Sequence, residues 1–411
     1  MTSARNSLIH DPRVGSVILL CALGVTLALG VFGVGHGGPA QTNLDMRVLY
    51  LAGIFWRDGV SAYVPGSVHP PDPWLADAAA SYDFAYPPQA APLCILLAAW
   101  SPAGARALMT GLNLAAALGL AVLSLRFAGA GARRDRAGAG TAAWWAIPAL
   151  VLGNPSTAFV IWAGQTTLIV TLALILGWHL ARNDRWLIGG LLLAVATIKP
   201  QLSALPMIWL VLERRWRVLA AVVLGVVVLA AVPLVISGPV RLMSDWSAAA
   251  WRYSAGPYNA LGSRMIFGLQ NVLYVAGLDT PVLLPLALLI IGWLWWSRAS
   301  VVDDDLLAIL VGLSLLFGFA HSYDIAALVP LVPAYWRHVH GRPAASALAL
   351  GLMVVVTLPN SLLEPYVSPL VLHLRVLALC VAVGWLMVMS LRRGTAGVGL
   401  GAQRGLTPSR L

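Results

Sequence analysis

The stretch VLAAVVLGVVVLAAVPLVIS, residues 218–237, runs for twenty residues without a charge and with Ser237 as its only polar side chain. Twenty apolar residues in a helix are about 30 Å long, the thickness of a bilayer's hydrocarbon core. A charged turn, Glu213-Arg214-Arg215-Trp216-Arg217, precedes it. The same alternation of apolar run and short charged turn continues in both directions. Over all 411 residues, 59% are hydrophobic and only 10% charged, and the mean hydropathy is +0.82. A soluble domain carries about 25% charged residues, so an ordinary soluble enzyme is excluded, as is a disordered chain. A β-barrel would alternate polar and apolar residues instead of running apolar throughout. The sequence predicts an all-α polytopic membrane protein.

Twelve spans are expected. Six are long, at 15–35, 218–237, 281–297, 306–320, 344–359 and 376–391. Six are shorter or interrupted, at 105–127, 144–162, 166–181, 186–198, 201–212 and 325–336. Residues 88–100 are apolar but short and are cut by Ser101-Pro102. They read as a re-entrant or tilted piece rather than a thirteenth crossing. The first run follows Arg5 and Arg13 and is too long, and lacks the small-residue site, for a cleaved signal; it reads as a retained helix. With the N-terminus in the cytoplasm, alternation puts 18 cations on the inner side and 7 on the outer, with Arg106 ambiguous. That split satisfies the positive-inside rule and leaves both termini cytoplasmic. The net charge of +10 is thus a topological signal, with no nucleic acid implied. Two long outer loops result, 36–87 and 238–280, in a single transmembrane domain over 1–393, followed by a Gly-rich tail, 394–411, expected to be disordered. Within the first loop, residues 43–58 have apolar side chains near helical spacing and are expected to lie as an amphipathic helix on the outer surface. Cys21, Cys94 and Cys380 all sit in apolar runs and form neither a disulfide framework nor a metal-ligand spacing.

Polar residues in so apolar a chain are the informative ones. On this topology they converge on the outer side: Asp45, the segment Asp83-Phe84-Ala85-Tyr86-Pro87-Pro88, Asn154-Pro155-Ser156, Gly164-Gln165-Thr166, Lys199-Pro200-Gln201 and His321-Ser322-Tyr323-Asp324. A carboxylate there suits a general base acting on a hydroxyl, and cations suit a phosphate. Together they fit transfer of a group from a lipid phosphate to an alcohol. Each residue also has a plainer reading. Asp45 is a good helix cap, Lys199 could snorkel to headgroups, Gln165 could join two helices, and His321 could end one. Asp58, Asp72 and Asp77 read as solvated loop acids, and Arg47, Arg57, Arg241, Arg252 and Arg264 as partners of anionic headgroups. No DxD pattern occurs in the first outer loop, and no obligatory metal or other cofactor is expected.

These ordered motifs resemble glycosyltransferase family 87. The resemblance rests on Asp45 followed by the aromatic segment 48–56 and Gly59…Tyr63. After these come Phe84-Ala85-Tyr86-Pro87-Pro88, Asn154-Pro155, Gly164-Gln165-Thr166-Thr167-Leu168, Ile198-Lys199-Pro200, Glu213–Arg217 and His321–Asp324. It runs from about residue 40 to 335. Position 166 is Thr where many relatives carry Asn. The family includes polyprenol-phosphate-mannose-dependent enzymes that mannosylate phosphatidylinositol mannosides. The resemblance implies a GT-C-like bundle with surface helices in the first outer loop. It also implies a polyprenyl-phosphate sugar donor, a lipid or glycan acceptor, and inverting transfer of a hexose, mannose by family habit, at the outer face of a bacterial inner membrane. It makes Asp45 the catalytic base. His321, Lys199, Gln165, Tyr86, Arg47, Asp83, Tyr323 and Arg264 become the residues expected to contact donor or acceptor. A transporter or flippase for a lipid-linked sugar is the competing reading, and a scaffold for envelope assembly a third.

Overall fold

The computed structural model describes residues 12–34, 42–64, 73–76, 78, 82–132, 140–279, 282–298, 301–340, 342–359 and 367–404. Asp72, Asp77 and parts of the first outer loop lie outside these residues. The chain starts with α1 (Pro12–Thr26), which continues into a π turn (Leu27–Val31). Next come α2 (Met46–Arg57), a 3-10 turn (Pro88–Ala90), α3 (Ala91–Ala98) and the long α4 (Pro102–Ala132). A run of helices follows: α5 (Gly140–Leu152), α6 (Pro155–Ala163), α7 (Thr167–Arg182), α8 (Trp186–Ala196), α9 (Pro200–Leu212), α10 (Trp216–Leu229), α11 (Ala231–Ser237) and α12 (Pro239–Ala255). The chain then passes through β1 (Ile266–Phe267), α13 (Leu269–Val275), α14 (Leu284–Trp296), α15 (Asp303–Phe317) and β2 (Ala320–His321). A 3-10 stretch (Ser322–Leu328), α16 (Leu331–Val339), α17 (Pro343–Thr357) and α18 (Pro369–Arg404) complete it.

Among the described residues three helices are long and apolar enough to cross a membrane, or five if two bent pairs each count once. The bends have chemical causes. Pro233 has no N–H to give the carbonyl of Leu229, four residues back, so the predicted span 218–237 breaks there by 59° into α10 and α11. In the predicted span 144–162, Asn154 is extended because Pro155 follows it. Its side chain caps Ser156 N at 2.9 Å, and α5 meets α6 at 46°. At the centre, α15 is buried on every side from Asp305 to Leu316 and packs against α9, α14, α16 and α18. At the rim, α10 and α14 expose Val223, Val227, Val228 and Leu289, an apolar surface suited to lipid. The chain is a multi-pass, α-helical membrane protein, and the strands among the described residues are the two-residue ladder β1–β2, which pairs Ile266 with His321 and Phe267 with Ala320.

Three expectations need correction. The helix foreseen at 43–58 forms as α2, but it does not lie open on a surface. Met46, Leu49, Tyr50, Leu51, Ala52, Gly53 and Trp56 are buried. Gly53 meets α3, and loop aromatics close in around the helix, with Phe84 5.3 Å and Tyr63 6.0 Å from the Trp56 ring and Tyr82 5.3 Å from that of Phe55. The loop 238–280 is largely the helices α12 and α13. It folds back over the first loop: Trp246 donates to the carbonyl of Ala85 (3.1 Å) and Arg252 to that of Tyr63 (2.9 Å). The last helix continues to Arg404, past Arg393 where the ordered chain was expected to stop; the stretch up to that point contains no proline to break it.

The segment 88–100 has both ends at the same end of the bundle. Gln89 Nε2 donates to the carbonyl and hydroxyl of Thr197 beyond the end of α8, both at 2.9 Å, and the carbonyl of Trp100 accepts from Tyr50 of α2 (2.8 Å). This piece sits on the end of α8, which has only eleven residues, about 16 Å.

Close approach of α2 to α3 depends on Gly53, where a Cβ would run into the backbone carbonyl of Cys94. Gly53→Ala should lower stability by about 1–3 kcal/mol, an overpacking cost. Gly111→Ala, in α4 with nothing within 4 Å of the added carbon, should raise it by about 0.5–1 kcal/mol. Thermal unfolding of both variants in detergent checks the pair, and equal shifts would remove the packing role.

Candidate functional site

Asp45 is brought to the site by the end of another helix. The last carbonyls of α6 have no partners inside that helix. Those of Trp162 and Ala163 accept instead from the backbone N–H of Asn43 (2.5 Å) and Asp45 (2.9 Å). α6 then ends on Gly164, in the left-handed region at φ 70°. A Cβ there would be strained and would also stand 2.6 Å from Asn43 Oδ1 and 2.9 Å from Met46 Cβ. This is the physical content of the Gly164-Gln165 motif: glycine permits the turn and the contact, and the next residue faces the carboxylate.

Asp45 occupies the cap position of α2 but makes no capping hydrogen bond. Its Oδ2 accepts from Gln165 Nε2 at 2.7 Å, and Gln165 Oε1 accepts from the Tyr86 hydroxyl at 2.7 Å. An ionised carboxylate only accepts, which orients the amide. The side chain of Asp45 is half-buried. Burial raises its carboxyl above the usual aspartate range, against the hydrogen bond from Gln165 and the charges of Lys199 and Arg47. Tyr86 is held by its own motif: Phe84 lies 5.8 Å from its ring, and its carbonyl accepts from the Tyr63 hydroxyl (2.8 Å).

A second polar cluster adjoins the first. Lys199 Nζ is 2.7 Å from Asp324 Oδ1, and both side chains are buried, at 4% and 0% exposure. The Thr167 hydroxyl donates to the same oxygen (2.8 Å), and Lys199 also donates to Thr167 Oγ1 (2.8 Å). Asp324 Oδ2 accepts from the backbone N–H of His321 (3.2 Å). Tyr323 lies between rings, stacked on His321 at 5.0 Å and on Phe159 at 6.0 Å, with Lys199 Nζ 4.7 Å from its centre. His321 Nε2 is 2.9 Å from Asn259 Oδ1 and 3.3 Å from the Tyr253 hydroxyl. The β1–β2 ladder holds that strand in place. Burial pushes the His321 imidazole down to about 4, Lys199 adding to the shift and Asp324 opposing it, so the ring is neutral at pH 7.

Of the residues singled out in the sequence, Asp45, Gln165 and Tyr86 meet in one network, and Lys199, His321 and Tyr323 in the adjoining one. Arg47 lies near enough for its charge to act on Asp45, and its guanidinium is 5.2 Å from the Trp74 ring. Asp83 is half-buried, its carboxyl raised by burial and partly offset by Arg252, and sits toward α12. Arg264 is exposed on the turn before β1. Four residues were missed. Asp324, though quoted in its motif, holds Lys199. Thr167 shares that carboxylate. Asn259 has no signature in the sequence. Arg106, ambiguous in topology, lies 5.5 Å from the Trp74 ring, which Arg47 also approaches. Among the described residues no three His, Cys, Asp or Glu side chains gather as a metal-binding group.

A helical membrane chain with a carboxylate, amides and cations gathered at one end carries the groups that acid–base chemistry needs. The family described as glycosyltransferase family 87 matches over residues 84–322, more than half of the chain, and the chain belongs to that family. It is a membrane glycosyltransferase, which takes a sugar donor and an acceptor. Gln165, Lys199 and His321 lie within the matched stretch, Asp45 and Arg47 before it, and Tyr323 and Asp324 just after it. Neither a curated protein nor a solved structure matches the chain, and the finer likeness to mannosyltransferases of phosphatidylinositol mannosides rests on no matched relative.

Removing one member of a buried ion pair strands the other, at about 3–5 kcal/mol. Lys199→Met and Asp324→Leu should each cost that much in unfolding experiments. The double variant should cost clearly less than the two together. Strict additivity would mean that the pair does not act as a unit.

Proposed function

We propose that the protein transfers a hexose, with mannose the first to test, from a polyprenyl-phosphate sugar to a hydroxyl of a lipid or glycan acceptor. The acceptor oxygen attacks the anomeric carbon as the bond from that carbon to the phosphate oxygen breaks. The bonding pair leaves with the polyprenyl phosphate, and the hydroxyl proton passes to Asp45. A single displacement inverts the anomeric centre. The observation that carries this reading is the state of Asp45. It stands where a helix cap belongs but is turned instead to Gln165, and it is half open with a carboxyl that burial makes more basic than a free aspartate.

The leaving phosphate needs a cation. Lys199 is paired with Asp324, and Arg47 and Arg106, which both lie against the Trp74 ring, are the arginines offered to that phosphate. Gln165 and Tyr86 orient the base, and the neutral His321 with Asn259 and Tyr253 offers hydrogen bonds to sugar hydroxyls. The competing transporter reading has no such use for a base oriented in this way.

The same reading puts the site at the outer face of a bacterial plasma membrane, with both termini in the cytoplasm. Twelve passes follow if each bent pair counts once and the 3-10 stretch joins α16. The support is the distribution of charge. Arg182, Arg215 and Arg337 meet Glu213, Asp303 and Asp305 at the end of the bundle remote from Asp45.

Asp45→Asn keeps an oxygen that can accept from Gln165 and removes a desolvated charge. It should therefore abolish transfer from polyprenyl-phosphate mannose while melting no lower than the parent. Mass spectrometry of lipid products and thermal unfolding together read this out. Substantial product from the variant would exclude Asp45 as base, and vesicle transport of donor without a covalent product would favour the transporter. The pH profile of kcat/KM gives an independent check. A base whose carboxyl is raised loses activity as pH falls through a value above the ordinary 3.8, so the acid limb should lie above that of a free aspartate and vanish from any residual rate in Asp45→Asn.

A further inference from the structure

At the end of the bundle opposite Asp45, where α7 and α9 finish and α8 and α10 begin, there is a cavity of about 630 Å³. Its wall carries Arg214, Arg215 and Arg217, the indoles of Trp186 and Trp216, and one carboxylate, Asp184. Arg214 and Arg217 are exposed, and among the described residues neither has a carboxylate partner within 4 Å. Arg215 reaches Glu213 only at 3.6 Å, and Glu213 is already engaged by Arg182 and by Trp209, each at 2.8 Å. Three cations thus face one uncommitted acid. α8 and α10 both start at this cavity, and neither Arg185 nor Arg215 caps its helix with a side chain, so backbone N–H groups of two first turns add to the positive field.

The surroundings indicate what kind of anion fits. Trp186 and Trp216 are 41% and 60% exposed, in keeping with indoles at a membrane–water boundary. From the cavity an apolar flank leads along the helices: Leu187 and Ile188 on α8, then Val223 and Val227 on α10, all exposed. A free phosphate would use the cationic cup and ignore that flank, whereas a lipid uses both. Orientation of the protein requires only positive charge on this side, not a cup that collects it.

We propose that this cavity is a headgroup site for an anionic phospholipid of the leaflet opposite the Asp45 cluster. The arginines grip the phosphodiester, the indoles flank the glycerol, and the acyl chains lie along α8 and α10. Occupancy fastens the turns at the ends of α7 and α9, helices whose other ends carry Gln165 and Lys199.

Native mass spectrometry of the full chain in neutral detergent tests this, with phosphatidylglycerol, phosphatidylcholine and inorganic phosphate as probes. Phosphatidylglycerol should bind well ahead of the other two. The double variant Arg214→Gln/Arg217→Gln should weaken its binding on the order of 30-fold, and Asp184→Asn should strengthen it about fivefold. Asp184 is itself in the left-handed region at φ 58°, which asparagine tolerates, so that variant should fold even if the double one does not. Unchanged phosphatidylglycerol binding in either variant, or equal binding of phosphatidylcholine, would overturn the proposal. Equally tight binding of inorganic phosphate would make the ligand a soluble anion and overturn it as well. None of these readouts involves sugar transfer.

Discussion

The chain's single lysine is spent on a buried contact. Lys199 and Asp324 are out of reach of water, and two such charges stay in an apolar interior only when each satisfies the other and their remaining hydrogen bonds are made. Thr167 and the backbone of His321 supply those bonds. The pair therefore ties together the start of α7, the start of α9 and the 3-10 stretch after β2. Each of these segments carries a residue of the polar site one or two positions away: Gln165, Lys199 itself, and His321. The geometry around Asp45 depends on this junction as much as on the residues that touch the carboxylate.

That junction explains which parts of the molecule were legible in the sequence. The membrane class could be read from composition. The motifs Gly164-Gln165, Lys199-Pro200 and His321–Asp324 could be read because polar residues in apolar surroundings stand out, and in the fold they do meet. Their internal roles could not be read. Lys199 looked like a cation available to a phosphate because its partner lies 125 residues away. Asp324 passed as the tail of a motif for the same reason. Asn259 and Arg106 carry no local signal, and only folding brings Asn259 to His321 and Arg106 to Trp74.

Periodicity misled where a second layer was involved. Residues 43–58 have one strongly apolar face, and the opposite face was assigned to water. Tyr82 lies against Phe55 on that face, and Trp74, Tyr63 and Phe84 close its edges at Tyr50 and Trp56. The loop 238–280 shows no periodic link to the first loop, yet Trp246 reaches the carbonyl of Ala85 and Tyr253 reaches His321. Span lengths misled in another way, because Pro233 breaks the run 218–237, which hydropathy alone reads as continuous.

The pairing of α8 with the piece that begins at Pro88 has a further consequence. α8 is about half as long as a bilayer's hydrocarbon core is thick, and the remaining thickness beside it is filled by chain entering from elsewhere. A single long helix meets a thicker or thinner membrane by tilting. Two stacked pieces have no common axis to tilt, and what couples them is the pair of hydrogen bonds from Gln89 to Thr197.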